Sequence, residues 1–429
     1  MKLGVYFRES WHNLLADKTY GLVYILAVAF SMAMVMTYLT VQAVRMDNSY
    51  PEMHRDRMLS IPSMTFSAGQ SVRDRGVNKD FMQRFLSWPI PGLEAWTAVK
   101  TDNFIVSTTS GESVTMAVEF IGSGFRTIFP LDVIDGAWLS EDAADRAVPE
   151  VMISESAAVL LLGRKDVVGE TVFFDSREFR ICGVVRDVPM TATYAFAQIW
   201  APDIETFFER LVAPALGGMQ GSYEIVLLAG SRRDFDRVRK EIEDRVERYN
   251  RSGGDDWKMT FTNGIPSQEE RIFMLGSASA YRWIGLGVVL LVLLVPVLNL
   301  SGMTGSGMEA RMAEFGVRKS FGAWRGAIVR QVTAENLLLT LIGGVLGLLL
   351  SYLLLYLLQD QLYDLLPLNG LVDIRGIAEA PAFAFRDFFR LRLYLLLFVL
   401  VAALNLLSAM APALKVLRRP ITESLNSQK

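Results

Sequence analysis

The chain has 429 residues, 51% hydrophobic and 21% charged, and its formal net charge of −3 gives no electrostatic basis for nucleic-acid binding. Its one cysteine, Cys182, excludes an intrachain disulfide framework. The totals suit an ordinary soluble protein, but the distribution does not: apolar residues gather in four long blocks, and most charges lie between them.

Residues 1–18 place Phe7, Trp11, Leu14 and Leu15 at helical spacing. They read either as an amphipathic elbow helix lying on the inner leaflet or as the start of the first apolar block. That block, 19–44, carries no charged residue. A bilayer core about 30 Å thick takes roughly 20 apolar helical residues to cross, so the block predicts a transmembrane helix. It is longer than a signal-peptide core of about 7–15 residues, so a retained anchor is expected.

Residues 45–282 predict an α+β extracytoplasmic domain inserted between the first and second spans. Val114, Met116, Val118 and Phe120 alternate with Thr115, Ala117 and Glu119, the period of a strand with one apolar face. Val151–Ile153 predicts a second strand, and Ser154 starts a helix that Gly163 stops. Thr171–Phe174 and Phe179–Val185 predict strands joined by a turn at Asp175, Ser176 and Arg177. Tyr223–Leu228 predicts a strand, and Arg232–Tyr249 a charged amphipathic helix. Repeated strand–helix–strand units are therefore expected.

The remaining spans are predicted at 283–303, kinked by Pro296, at 336–358 and at 393–413, separated by segments 304–335 and 359–392 and followed by a tail, 414–429. Lys2, Arg8 and Lys18, then Arg311, Arg318, Lys319, Arg325 and Arg330, then Lys415, Arg418, Arg419 and Lys429 all fall on one side of a four-span chain. The positive-inside rule makes that side cytoplasmic, so both termini and the 304–335 loop are expected inside. The spans hold almost no ionisable residue, which argues against a proton-coupled pump. Gly343 and Gly347, with Gly344 beside them, form a face of small residues suited to close helix contact, within one subunit or between two.

Nothing in the sequence gathers into a catalytic or metal site. His12 and His54, the only histidines, are expected on opposite sides of the membrane, and neither H-E-x-x-H nor G-x-S-x-G occurs. No glycine-rich phosphate loop occurs either; Gly163-Arg164-Lys165 lacks the preceding glycine and the following Ser or Thr.

The cytoplasmic segment carries the run Glu314-Phe315-Gly316-Val317-Arg318-Lys319-Ser320-Phe321-Gly322-Ala323. Val317, Phe321, Trp324, Ile328 and Val332 would share one apolar stripe on a helix, Glu314 and Arg318 an i,i+4 pair, and Gly322 would leave a gap on the surface. Read from its residues alone, such a helix either docks a cytoplasmic partner or lies on the membrane surface.

This run resembles the E-x-G-I-R-K-A-L-G-A signature of MacB-type and FtsX-like ABC transporter permeases, with Ser320 and Phe321 standing for the usual Ala and Leu. Other segments are similar in order and spacing. Leu14-Leu15 with Asp17-Lys18-Thr19 resembles the family's opening. Asn48-Ser49-Tyr50-Pro51-Glu52-Met53-His54-Arg55-Asp56-Arg57 resembles a segment of Bacteroidetes-like members. Val151–Gly169 and Gly183–Val188 resemble the periplasmic core, and Pro412–Lys415 with Pro420–Leu425 the closing motif. The resemblance implies four transmembrane helices with a periplasmic domain, multi-pass in the inner membrane. It implies a permease dimer, homo- or heteromeric, paired with a cytoplasmic ABC ATPase that binds the ATP and magnesium, so that this chain binds no cofactor and is not itself an enzyme. Contact with that ATPase would fall on Glu314, Gly316, Val317, Arg318, Lys319, Phe321, Gly322, Ala323 and Trp324. ATP-driven motion would pass through the spans to the outer domain, a mode called mechanotransmission. Membrane lipids and periplasmic or outer-membrane proteins are the other implied partners. Efflux of antibiotics or other compounds is the expected role; lipoprotein release and cell-wall-hydrolase control are the alternatives within the fold, and a non-transporting receptor or scaffold is the alternative outside it.

Overall fold

The computed structural model describes residues 18–140, 148–174, 177–203, 219–253, 256–272, 283–294, 302, 305, 317, 325–358 and 391–418. They form two units, one of apolar helices and one, a head, centred on Arg45–Ala278. The first helix, α1 (Lys18–Met46), leads from the helical unit into the head sequence.

The head begins with β1 (Met58–Ile61), β2 (Met64–Ala68), β3 (Ser71–Val77), α2 (Lys79–Phe85), β4 (Leu93–Thr108), β5 (Ser113–Ile121), α3 (Phe125–Ile128) and β6 (Val133–Gly136). It continues through β7 (Glu150–Ser154), α4 (Glu155–Leu162), β8 (Thr171–Phe174), β9 (Arg177–Val185), β10 (Ile199–Pro202), β11 (Gln220–Gly221) and β12 (Glu224–Ala229). It closes with α5 (Phe235–Ser252), β13 (Lys258–Phe261) and α6 (Gln268–Ile272). A nine-stranded sheet runs β1-β12-β4-β5-β10-β7-β9-β6, with β8 bridging β4 and β9, and a four-stranded sheet runs β11-β3-β2-β13.

Three apolar cores explain this layout. Ala117 and Ile121 of β5 pack on one face of the large sheet with Phe125, Phe129, Tyr194 and Trp200. Met116, Val118 and Phe120 pack on the other, with Ala157, Ala158 and Leu161 of α4. The alternation of β5 therefore feeds two buried faces, and even Glu119 is fully buried. The third core joins β1 and β12 to the small sheet, α2 and α5, with Val238, Ile242 and Val246 at helical spacing.

Local signals in the sequence account for the ends of α4. Ser154 Oγ accepts from Ala157 N at 3.3 Å, and Gly163 closes the helix at φ +71°. A strand–helix–strand unit appears in compact form as β7–α4–β8–β9, where β7 and β9 are parallel, and β5 and β10 form the other parallel pair. The remaining ladders are antiparallel, so the expected series of repeated units is replaced by a mixed sheet.

After the head come α7 (Trp283–Leu294), α8 (Arg325–Leu357) and α9 (Leu391–Arg418). Three described helices are long and apolar enough to cross a membrane, at Gly21–Met46, Val329–Leu357 and Leu391–Met410. The predicted span 283–303 is described through Leu294, Pro296 lies outside the described residues, and α7 is apolar but shorter than the others. Exposed Leu349, Leu353 and Leu357 on α8 and Leu396, Val399 and Leu400 on α9 present hydrocarbon outward, as lipid-facing helices do.

One helix, α8, runs unbroken from Arg325 through the end of the predicted 304–335 segment and the predicted span 336–358. Its polar residues are absorbed rather than disruptive, since Gln331 and Asn336 are buried and Asn336 Nδ2 donates to Val332 O at 3.0 Å. Likewise α9 continues through Pro412 to Arg418, so helix extends past the predicted span 393–413 into the first residues of the tail.

Candidate functional site

The most heavily constrained polar cluster lies where the chain leaves α1. Glu52 and Arg55, three residues apart, are both buried, and Arg55 Nε donates to Glu52 Oε2 at 2.6 Å. Arg55 Nη1 donates to the carbonyl of Asp47 at 2.9 Å, and Nη2 donates to that of Thr191. The second carboxylate oxygen of Glu52 accepts from Tyr194 N at 2.6 Å. The guanidinium thus spans from the residue after α1 to a loop packed on the large sheet.

Tyr194 extends the cluster. Its hydroxyl accepts from Arg271 Nη1 at 2.9 Å, and the Arg271 guanidinium lies 4.7 Å from its ring centroid. Arg271 also pairs with Glu224 on β12. It sits on α6, the last described helix of the head before α7. A chain of buried ion pairs and hydrogen bonds therefore runs Asp47–Arg55–Glu52–Tyr194–Arg271–Glu224, joining the first and last parts of the head. Buried charges persist only when paired and hydrogen-bonded, and breaking such a pair costs about 3–5 kcal/mol.

Glu119 lies beneath it on β5, in register with Thr101 on β4 and Trp200 on β10. Burial, then the charge of Glu52, push its carboxyl well above the usual carboxylate range; Trp200 acts in the other direction. Among the described residues no group of His, Cys, Asp and Glu is arranged to hold a metal ion.

In the helical unit the small-residue face meets α1 of the same chain. A Cβ on Gly343 would lie 2.8 Å from Val28 Cβ and 3.0 Å from Ile25 O, and one on Gly347 would lie 2.8 Å from Ala29 O. Gly344 faces Phe398 of α9 instead, at 2.8 Å. Thr340 completes the contact: Asn405 Nδ2 donates to its hydroxyl at 3.1 Å, and Tyr24 Oη lies 3.5 Å from it. Hence α8 is wedged between α1 and α9 by glycines on two faces and one shared hydroxyl.

Of the predicted ATPase-contact residues, Val317 is helical and exposed. Glu314, Gly316, Arg318, Lys319, Phe321, Gly322, Ala323 and Trp324 lie outside the described residues. Glu52 and Arg55 stand inside a segment the sequence singled out, but nothing local announced that they pair or are buried. Tyr194 and Arg271 carry no sequence signal, because their partners are far away along the chain.

A folded α+β head together with helices long and apolar enough to cross a bilayer defines an integral membrane protein with a large domain outside the lipid. The chain belongs to the MacB-type and FtsX-like ABC transporter permeases: residues 22–245 match the MacB-like periplasmic core domain, and residues 286–421 the FtsX-like permease C-terminal region. It is 25% identical over 236 residues to the macrolide export ATP-binding/permease protein MacB of Aggregatibacter actinomycetemcomitans, a match covering 54% of this chain and 34% of that protein. It is 24% identical over 242 residues to the ABC transporter permease YknZ of Bacillus subtilis, covering 56% and 57%. It is also 24% identical over 239 residues to the pyoverdine export ATP-binding/permease protein PvdT of Pseudomonas syringae, covering 53% and 33%. The match thus spans from a third to just over half of these relatives. Among solved structures, the periplasmic region of MacB from Actinobacillus actinomycetemcomitans aligns with TM-score 0.35 and 17% identity, covering 50% of this chain and 94% of that one.

Proposed function

We propose that this chain is the permease subunit of an ABC-type mechanotransmission system. It crosses the inner membrane four times, with α7 opening the second span, both termini cytoplasmic and the head inserted after α1. A dimer of permeases, homo- or heteromeric, works with a separate cytoplasmic ATPase, which binds ATP and magnesium. The ATPase docks on 304–335, chiefly through Glu314, Gly316, Val317, Arg318, Lys319, Phe321, Gly322, Ala323 and Trp324. ATP-driven movement travels up α1 and α8, held together at Gly343 and Gly347, and reaches the head. The carrying observation is the buried Glu52–Arg55–Tyr194–Arg271 joint, which gives the head a root beside the end of α1. The cargo is a compound leaving the cell, by analogy with the macrolide and pyoverdine export named for two relatives.

The test is a pull-down of the cognate ABC ATPase, with ATPase stimulation measured in nanodiscs. Arg318→Glu and Gly322→Trp should each weaken binding and stimulation. Tyr194→Phe should leave binding intact and reduce export. Full binding and full stimulation with both loop variants overturns the reading.

A further inference from the structure

The head contains a cleft of about 630 Å³ that the family assignment does not explain. It lies within the head, between α2, the start of β4, the α3 turn and the segment 138–140, with Pro202 and Asp203 at one wall. This size falls within the range of about 300–1,000 Å³ usual for small-molecule sites.

Its walls are chemically uneven. Two indoles, Trp96 and Trp138, line it together with the buried ring of Phe125. The Arg126 guanidinium lies 5.3 Å from the Trp138 ring centroid, a cation laid over an aromatic face. Arg126 is exposed, and among the described residues no carboxylate pairs with it. Lys79 adds a second positive charge to the lining. The one acidic lining residue, Asp203, is almost fully buried and is already engaged: Tyr223 Oη donates to it, and Lys79 and Lys100 lie close by. Burial raises its carboxyl above the ordinary range, while Tyr223, Lys79 and Lys100 act in the other direction. The backbone holds the walls close: a Cβ on Gly124 would fall 1.9 Å from Trp96 O, so the α3 turn bearing Arg126 is pressed against β4 and only glycine fits there.

We propose that this cleft binds an amphipathic organic anion of a few rings or a short branched chain, its apolar body against Trp96 and Trp138 and its acidic group on Arg126. The aromatic walls supply area, and the cation supplies polarity and orientation. Whether such an anion is cargo or regulator rests on the permease reading above; binding to the cleft does not.

The test uses the full chain in dodecyl maltoside, without any ATPase, and the photoreactive anion 4-benzoylbenzoate, with neutral benzophenone as control. After irradiation, peptide mass spectrometry locates the label. The anion should label peptides spanning 79–98 and 121–140, and unlabelled 2-naphthoate should compete. Arg126→Glu should cut that labelling roughly tenfold, the loss of one charge-assisted contact. Trp138→Ala should cut it too, while benzophenone labelling of the apolar helices stays unchanged in both. If Arg126→Glu melts below the wild type, Arg126→Gln takes its place in the comparison. Label confined to 18–46, 325–357 and 391–418, or equal labelling of wild type and variants, overturns the proposal. Because the ATPase is absent, such a failure leaves the permease reading standing, and a failed pull-down leaves the cleft standing.

Discussion

Arg55 Nε lies 2.6 Å from Glu52 Oε2 with both side chains shut off from solvent, so each charge depends on the other. Replacing Arg55 with Met should leave the Glu52 carboxylate buried without its cation and destabilise the head by about 3–5 kcal/mol. The double variant Glu52→Gln, Arg55→Met removes both charges and should recover a large part of that loss. Thermal melting of the purified chain, followed by tryptophan fluorescence, measures both. A single variant as stable as the wild type would show that the pair does not hold the joint.

Glu119 should make stability depend on pH. Its carboxyl is raised by burial first and by Glu52 second, so the folded state keeps a proton that the unfolded chain releases above its ordinary value. Stability contributed by this group therefore falls as pH rises, by up to about 1.4 kcal/mol per pH unit, from the ordinary glutamate value up to the raised one. Below the ordinary value both states are protonated and the effect vanishes. In Glu119→Gln the slope should disappear. The buried amide adds a constant offset, so the readout is the change in the melting difference between pH 5 and pH 8. Parallel curves for variant and wild type would place the carboxylate in a solvated or compensated site.

Parts of this architecture were readable from residues and parts were not, for physical reasons. The ends of α4 were legible because capping is local: Ser154 and Gly163 act within a turn of the chain. The apolar helices were legible because hydrocarbon needs a long uninterrupted run. The burial of Glu119 was not, since alternation looks the same whether one face of a strand or both are covered. The stripe from Val317 to Val332 made a helix legible there, but not its continuity with the span from 336, since nothing local shows that Gln331 and Asn336 are buried. The joint escaped altogether, as Arg55 meets Thr191 and Arg271 meets Tyr194 only after the sheet has formed.

The glycine face of α8 should tolerate no side chain on the α1 side and some on the other. At Gly347 an added methyl meets the Ala29 carbonyl, which is backbone and cannot turn aside. Gly347→Ala should therefore cost about 1–3 kcal/mol, the usual penalty for overpacking. At Gly344 the obstacle is the Phe398 ring, a side chain that can rotate, so Gly344→Ala should cost less. Because α1 of the same chain occupies the Gly343–Gly347 face, that face is not open to the second permease proposed above. Melting in detergent and crosslinking of copies through a cysteine introduced at Val345, which is exposed, test these two points. Equal effects at Gly344 and Gly347, or crosslinks that vanish only when Gly347 is changed, would reverse the assignment of faces.

Cys182 should be nearly inert in the folded protein. It lies on β9, half-buried, with Sγ 3.3 Å from the Val151 carbonyl. Burial, then the charge of Glu150, push its thiol up to about 12. At pH 8 the thiolate population then falls by roughly three orders of magnitude relative to a free cysteine; the stronger nucleophilicity of a more basic thiolate recovers part of this, leaving alkylation about a hundredfold slower. A time course with iodoacetamide, read by intact mass, checks this, and rapid labelling at pH 8 without denaturant would mean that solvent reaches β9. Since the sequence holds no other cysteine, the same rate measured against urea reports the opening of the head alone. Arg55→Met should shift that labelling transition to lower urea if the joint at Glu52 stabilises the sheet on which Cys182 sits.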